Sequence, residues 1–208
     1  MEVARHAGSL FVERGFAATT GDDIAAAAGL SKRTVWRYFR SKEACVEPLF
    51  SQSSLRFIAR LKHWPRDVAI EDHLAEVFHP DRQTPAEVAD DVLVVRLLAM
   101  LPDEPALRTA WLMSCHAGED DLRAVIAGRL DRSVRDFEVR LCAATIMAAL
   151  RVVDETISEA AVRHSQTFTL EEVLDEMSRA IRKASTLPIC DPAKPDLFGR
   201  KPPELRQA

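Results

Sequence analysis

Residues 19–43, TTGDDIAAAAGLSKRTVWRYFRSKE, hold two short helical patterns separated only by Gly29-Leu30-Ser31. So short a connection forces the two helices to pack at an angle as one hairpin. Thr20-Gly-Asp-Asp23 is a capping box with Asp in the Glu position, so it opens the first pattern. Gly29 ends that pattern, and Ser31 can N-cap the second. The second pattern spans about eight residues, too few to persist alone, so packing must hold it. Val35 and Phe39 form an i, i+4 apolar pair that can dock on Leu10, Phe11, Phe16, Ile24 and Ala28. That docking turns Lys32, Arg33, Trp36 and Arg37 outward.

Charge sharpens the reading. Between Ser31 and Lys42 lie five Lys/Arg (Lys32, Arg33, Arg37, Arg40, Lys42) and no acid, in a chain of net charge −4. The first 44 residues carry +2, which leaves −6 for the remainder. A basic segment joined to an acidic body fits a nucleic-acid module whose body stays off the DNA. A helix–turn–helix that enters a major groove needs this arrangement. Arg and Lys can donate to guanine O6 and N7, and the Trp36 ring can meet a thymine methyl or the sugar–phosphate wall. Tyr38 and Lys42, one turn farther on, are expected at phosphates, and the Thr20 hydroxyl with its helix N-terminus offers a further anion position. A solvated basic hairpin is the plain alternative. The run Trp36-Arg37-Tyr38 weighs against it, because exposed aromatics are costly without a partner.

The rest of the chain also reads as helix. Seven glycines and few β-branched runs point to an all-α fold. Helix 1 shows the stripe Val3, Ala7, Leu10, Phe11, with Gly15 at a left-handed C′ position. Ser41 is expected to cap a helix from Lys42 to about Lys62, broken at Trp64-Pro65. A helix over 67–79 follows, closed by Pro80. Thr84-Pro-Ala-Glu87 combines a cap, Pro at N1 and Glu at N3, opening a helix that runs to Leu101. Further helices are expected over 103–116, 119–131 and 135–164. Thr169-Leu-Glu-Glu172 is another capping box, starting a stripe of Leu170, Leu174, Met177, Ile181 and Ala184. From Pro188 the tail has five prolines and no periodicity, and reads as extended or disordered.

The hairpin resembles the N-terminal domain of the tetracycline-repressor (TetR) family of transcriptional regulators. The matching pieces are Leu10-Phe-Val-Glu-Arg-Gly-Phe16, Thr19-Thr20, Ile24-Ala25 with Ala28-Gly29-Leu30-Ser31, Thr34-Val35-Trp36-Arg37-Tyr38-Phe39 and Ser41-Lys42-Glu43. The resemblance implies an all-α homodimer: a three-helix DNA-binding domain over 1–44 and a helical effector-binding and dimerisation body over 45–187, followed by the 188–208 tail. It places Lys32, Arg33, Thr34, Trp36 and Arg37 at base- or groove-facing positions. Thr20, Ser31, Tyr38 and Lys42 fall at phosphate-contacting ones. Two departures stand out. Family members begin with a basic arm ahead of helix 1, whereas here the sequence starts almost at the helix. The usual small residue before Thr34 is Arg33.

The expected function is a cytoplasmic, ligand-responsive repressor that binds a near-palindromic operator on double-stranded DNA as a homodimer. A small apolar effector releases it. The alternative is an effector-independent regulator acting with a protein partner, which a sealed core would favour. Trp64, Phe78, Met100, Trp111, Met113 and Met147 are large, adaptable side chains suited to an apolar effector, although plain core packing accounts for each singly. Arg96, inside the apolar run 92–101, is expected to pair with Asp90 or Asp91, the alternative being that it neutralises an acidic ligand. The last two long helices are the expected dimer face, with small residues at Ala143, Ala144, Ala148 and Ala149 and the 170–184 stripe as a seam. No cofactor or metal is expected: Cys45, Cys115, Cys142 and Cys190 lack zinc-ligand spacing, and His73 and His79 diverge on their helix. No GxSxG, HExxH or phosphate-binding loop suggests an enzyme, and no apolar stretch reaches membrane-span length.

Overall fold

A computed structural model describes residues 1–193, and among these there are nine α-helices and no strand. The first three helices are α1 (Glu2–Arg14), α2 (Gly21–Ala27) and α3 (Lys32–Tyr38). Ala4, Ala7, Leu10 and Phe11 form the buried stripe of α1. Gly15 follows it with φ 88° and ψ 151°. The expected positive φ is present, but ψ is extended rather than left-handed helical, a region open in practice only to glycine. The capping box at Thr20 and Asp23 is formed. At the other end of α2, Gly29 takes φ 64°. Its N–H bonds the Ala26 carbonyl at 3.1 Å while the Leu30 N–H bonds the Ala25 carbonyl at 2.9 Å, the paired closure of a Schellman motif.

The body contains α4 (Glu47–Leu61), α5 (Ile70–Val77), α6 (Pro85–Leu98), α7 (Pro105–Leu130), α8 (Phe137–Arg163) and α9 (Leu170–Ala184). Four boundaries differ from expectation. Ser41 does accept the Ala44 N–H, at 3.4 Å, but it starts only a 3-10 turn over Glu43–Val46. The α-helix begins afresh at Glu47, because Pro48 has no N–H to give to Ala44. The helix expected from Asp67 starts at Ile70. The one ending at Leu101 stops at Leu98, and Met100 and Leu101 turn toward α7. Most notably, the segments 103–116 and 119–131 are one helix of 26 residues. Gly118 does not break it. A Cβ there would lie 2.7 Å from Ser54 Oγ, so the glycine lets α4 and α7 approach closely. That packing offsets the ~1 kcal/mol intrinsic helix penalty of glycine.

Two buried clusters organise the molecule. One joins α1, Ile24, Ala25 and Val35 to Cys45, Val46, Leu49 and Phe50, and continues into Leu97, Leu98, Leu107 and Trp111. The core of the first three helices is thus continuous with the body across residue 44. Arg5 on α1 adds a two-pronged ion pair to Asp90 on α6, at 2.7 and 2.9 Å. The second cluster lies farther out, among α4, α5, α7, α8 and α9.

The start of the tail corrects an expectation. Ile189 and Cys190 are buried in the second cluster. The Ile70 N–H bonds the Cys190 carbonyl at 3.0 Å. Arg129, buried near the end of α7, donates to the carbonyls of Ile189, Pro65 and Val68 and lies 3.6 Å from the Trp64 ring centroid. One guanidinium thereby satisfies backbone groups that have no helix to bond them. The rest of the tail, 194–208, lies outside the described residues.

Candidate nucleic-acid interface and effector cavity

Val35 is 1 % exposed and anchors α3 against α1 and α2. Its opposite face carries the expected outward set: Lys32, Arg33, Trp36, Arg37 and Tyr38 are exposed, and Thr34 is half-buried. Arg33, Thr34, Trp36 and Arg37 line one shallow cleft on that face. Ser31 caps the helix through the Thr34 N–H at 3.1 Å, and its hydroxyl lies 2.8 Å from that of Thr34. Lys32 Nζ pairs with Asp22 at 2.9 Å. Arg37 donates to the Tyr38 hydroxyl at 2.8 Å, which fixes two otherwise exposed side chains relative to each other.

Some neighbours act inward. The Trp36 indole lies over Gly21, where a Cβ would sit 1.9 Å from Trp36 Cζ2. Only glycine at the first position of α2 leaves the ring this place. Lys42 donates to the Phe16 carbonyl at 2.6 Å and the Thr19 carbonyl at 3.2 Å, above the Phe16 ring. Two of its three N–H groups therefore brace the α1–α2 corner, and one remains for an outside acceptor. The Thr20 hydroxyl accepts the Asp23 N–H and also bonds the Asp23 carboxylate, so the chain's own anion occupies that helix N-terminus. The same bonds hold the Asp23 carboxyl below its usual range. Thr19, which the motif reading treated only as a match, is 1 % exposed and donates to the Gly15 and Leu10 carbonyls at 2.9 and 3.2 Å. A bare Thr-Thr pair gives no sign of which hydroxyl turns inward.

The body encloses a cavity of about 230 Å³ among α4, α6, α7, α8 and α9. Phe78, Trp111 and Met147 line it as expected. Three other expected effector residues do not. Trp64 is buried in the second cluster, stacked on His73, and its Nε1 donates to the Val68 carbonyl at 2.9 Å. Met100 packs beside the first cluster. Met113 is 55 % exposed on the outer face of α7. A helix of 26 residues presents several faces, and residue type alone does not say which one meets the cavity.

The sequence reading missed the polar part of the wall: Arg56, Arg60, Asp91, Arg151 and Asp154. Arg56 pairs with Asp91, which also accepts from the Ser53 hydroxyl at 3.1 Å. Asp90 is taken by Arg5, so both carboxylates expected near Arg96 pair elsewhere and Arg96 is exposed. Glu155, behind the wall, accepts from Arg151 at 3.0 Å and from Trp111 Nε1 at 3.2 Å. Burial and the nearby Asp154 push the Cys115 thiol up to about 12, so this cavity cysteine stays an unreactive thiol near neutral pH. His73 is buried with Nε2 against the Arg60 carbonyl at 3.1 Å, while His79 caps the turn over Pro80–Arg82. Each histidine thus has a local structural partner.

Residues 2–49 match the family model of bacterial regulatory proteins, tetR family. Over 157 residues the chain is 28 % identical to the HTH-type transcriptional regulator TcmR of Streptomyces glaucescens, covering 73 % of this chain and 70 % of that protein. It is 42 % identical over 59 residues to the HTH-type transcriptional regulator YvaF of Bacillus subtilis (strain 168), 28 % of each chain. The fold is shared with Salmonella enterica GusR, at TM-score 0.54 and 19 % identity over 90 % of this chain and 95 % of that one. A TetR-family regulator from a Rhodococcus species superposes at TM-score 0.56 and 18 % identity, over 89 % and 97 % of the two chains. Residues 2–49 thus carry a tetR-family helix–turn–helix, DNA-binding domain, and the helical body behind it shares its fold with TetR-family structures.

Proposed function

We propose that the chain is a ligand-responsive repressor that binds a near-palindromic operator as a homodimer and leaves it when a small, largely apolar molecule fills the body cavity. The observation that carries this reading is the cavity itself, about 230 Å³ with a wall that is largely apolar but holds several charged side chains. An effector-independent regulator would be expected to close this space with side chains, so the cavity weighs against that alternative.

The route from cavity to DNA runs through α6. Asp91, Val94 and Val95 border the cavity. On the same helix, Asp90 holds Arg5, and Leu93 lies within 3.0 Å of where a Cβ on Gly8 would be. A ligand that moves α6 therefore moves α1 and the hairpin built on it. It can shift the binding equilibrium only by its differential affinity for the two arrangements. The DNA contacts of this reading are Arg33, Thr34, Trp36, Arg37 and Lys32 in the groove, with Ser31, Tyr38 and the remaining donor of Lys42 at the backbone; the Thr20 hydroxyl is already given to Asp23.

A two-fold dimer presents two copies of α3, so its operator carries two matching half-sites with centres ~34–36 Å apart, about one helical turn. Selection from random duplexes, followed by footprinting, should return such paired sites. Inserting half a turn between the half-sites should abolish tight binding. Recovery of single asymmetric sites would overturn the symmetric-repressor reading.

A further inference from the structure

Asp154 on α8 is the one acid of the cavity wall that has no hydrogen bond or ion pair among the described residues. It borders the cavity directly. Most neighbouring charges are already paired. Asp91 on α6 is paired with Arg56 on α4. Glu155 on α8 is paired with Arg151 at 3.0 Å and with Arg108 on α7 at 3.6 Å. The Arg60 guanidinium lies 4.4 Å from the Phe78 ring centroid and has no ion pair among the described residues, so it is the one wall cation left open to an anionic ligand. Cys115 on α7, an uncharged thiol, also faces Asp154. The same wall carries Trp111, Met147, Leu150 and Ile157, with the Ser158 hydroxyl one turn along α8.

Building on the effector-site reading above, we infer that the molecule this cavity takes is an apolar body carrying one basic nitrogen, and that Asp154 receives that nitrogen. An anionic ligand would bring its charge beside Asp91 and Asp154, while Arg56 and Arg151 are already held by carboxylates. A neutral ligand would leave the Asp154 carboxylate without a counter-charge. A protonated amine supplies the missing partner in a low-dielectric site, where a charge-assisted hydrogen bond is strong. Burial, with Glu155 and Asp91 adding like charge, pushes the Asp154 carboxyl up to about 7. The site therefore ionises near neutral pH and gains most from a cation there.

The test uses the full-length protein and three chain-matched probes: octylammonium, 1-octanol and octanoate, each titrated calorimetrically. Octylammonium should bind ~10–100-fold more tightly than octanol, the range expected of a hydrogen bond to a charged group. The preference should grow from pH 6 to pH 8 as Asp154 ionises, since an alkylamine stays protonated throughout, as lysine does. In Asp154→Asn, which keeps the side-chain volume, the preference should vanish while octanol binding persists. Asp154→Leu provides the same comparison should Asp154→Asn fold poorly. Equal binding of all three probes, or an ammonium preference that survives both variants, overturns the inference and leaves the cavity as an effector site. Preferred binding of octanoate also overturns it and shifts attention to Arg60. Failure of every probe to bind the native protein overturns the cavity reading together with it.

Discussion

Lys42 and Arg37 illustrate how two cations of one patch do different work. Arg37 is exposed and steadied only by Tyr38, so removing it should leave folding intact. Arg33→Ala or Arg37→Ala should cost ~1–3 kcal/mol of DNA affinity and relax preference at particular base pairs, read by anisotropy titrations on operator variants. Lys42→Ala should instead weaken all sequences alike and also lower Tm, because the Phe16 and Thr19 carbonyls lose their donor. An unchanged Tm would sink the bracing role. Asp154 gives a pH-dependent prediction. Its carboxyl ionises near 7 in the fold against an ordinary 3.8. Below 3.8 it is protonated folded or unfolded and carries no penalty. As pH rises, the unfolded chain ionises first, so the folded state loses relative stability until Asp154 also ionises. The Tm of Asp154→Asn should thus match the native protein near pH 4 and exceed it increasingly toward pH 8. A difference independent of pH would mean the carboxyl is not held up by burial. His73, whose burial lowers its ionisation, acts in the opposite direction but is common to both proteins, so it drops out of the comparison.

Among the elements, α8 and α9 part company. The α9 stripe does not wait for a partner copy: Leu174, Met177 and Ile181 pack within the chain, and Leu174 and Met177 border the cavity. The outer face of α9 is charged, with Glu171, Glu172, Asp175, Glu176 and Arg179 exposed. By contrast, α8 exposes Phe137, Leu141, Ala148 and Val152 at helical spacing, while Ala143 is fully buried inside. An apolar stripe open to water is the feature a partner would cover. If the chain pairs as the proposed homodimer, we propose α8 as its seam. Leu141→Glu with Val152→Glu should sediment as a folded monomer. Leu174→Glu should damage the body, because it puts a carboxylate into the second cluster. If the α8 double variant remained a full-strength dimer, the seam would lie elsewhere.

At the scale of the whole molecule, the continuous first cluster and the Arg5–Asp90 pair bind the DNA-reading helices to the body. Thermal unfolding followed by Trp36-sensitive fluorescence and by far-ultraviolet circular dichroism should coincide in one transition. Separate transitions would show that residues 1–44 melt on their own. The hairpin was legible in the sequence because its signals are local. A capping box, a positive-φ glycine and an i, i+4 apolar pair each act over a few residues, and they settled α2, the turn and the outward face of α3. The same holds for the capping boxes at Thr84 and Thr169, both of which formed. What failed were choices between faces and partners. Periodicity identifies α7 as helical, but the absence of a break at Gly118 depends on α4 lying against it. Residue size nominates Trp64, Met100 and Met113 as cavity residues, but the relative rotation of packed helices sends them elsewhere. Asp154 stands in the run Arg151-Val-Val-Asp-Glu155, which alone reads as solvated charge; its place in a cavity wall without an ion-pair partner among the described residues arises only when α4, α6, α7 and α8 close around it. Local hydrogen-bond chemistry is carried by adjacent residues and so is written in the chain, whereas burial is a property of distant segments meeting, and only the tertiary structure brings them together.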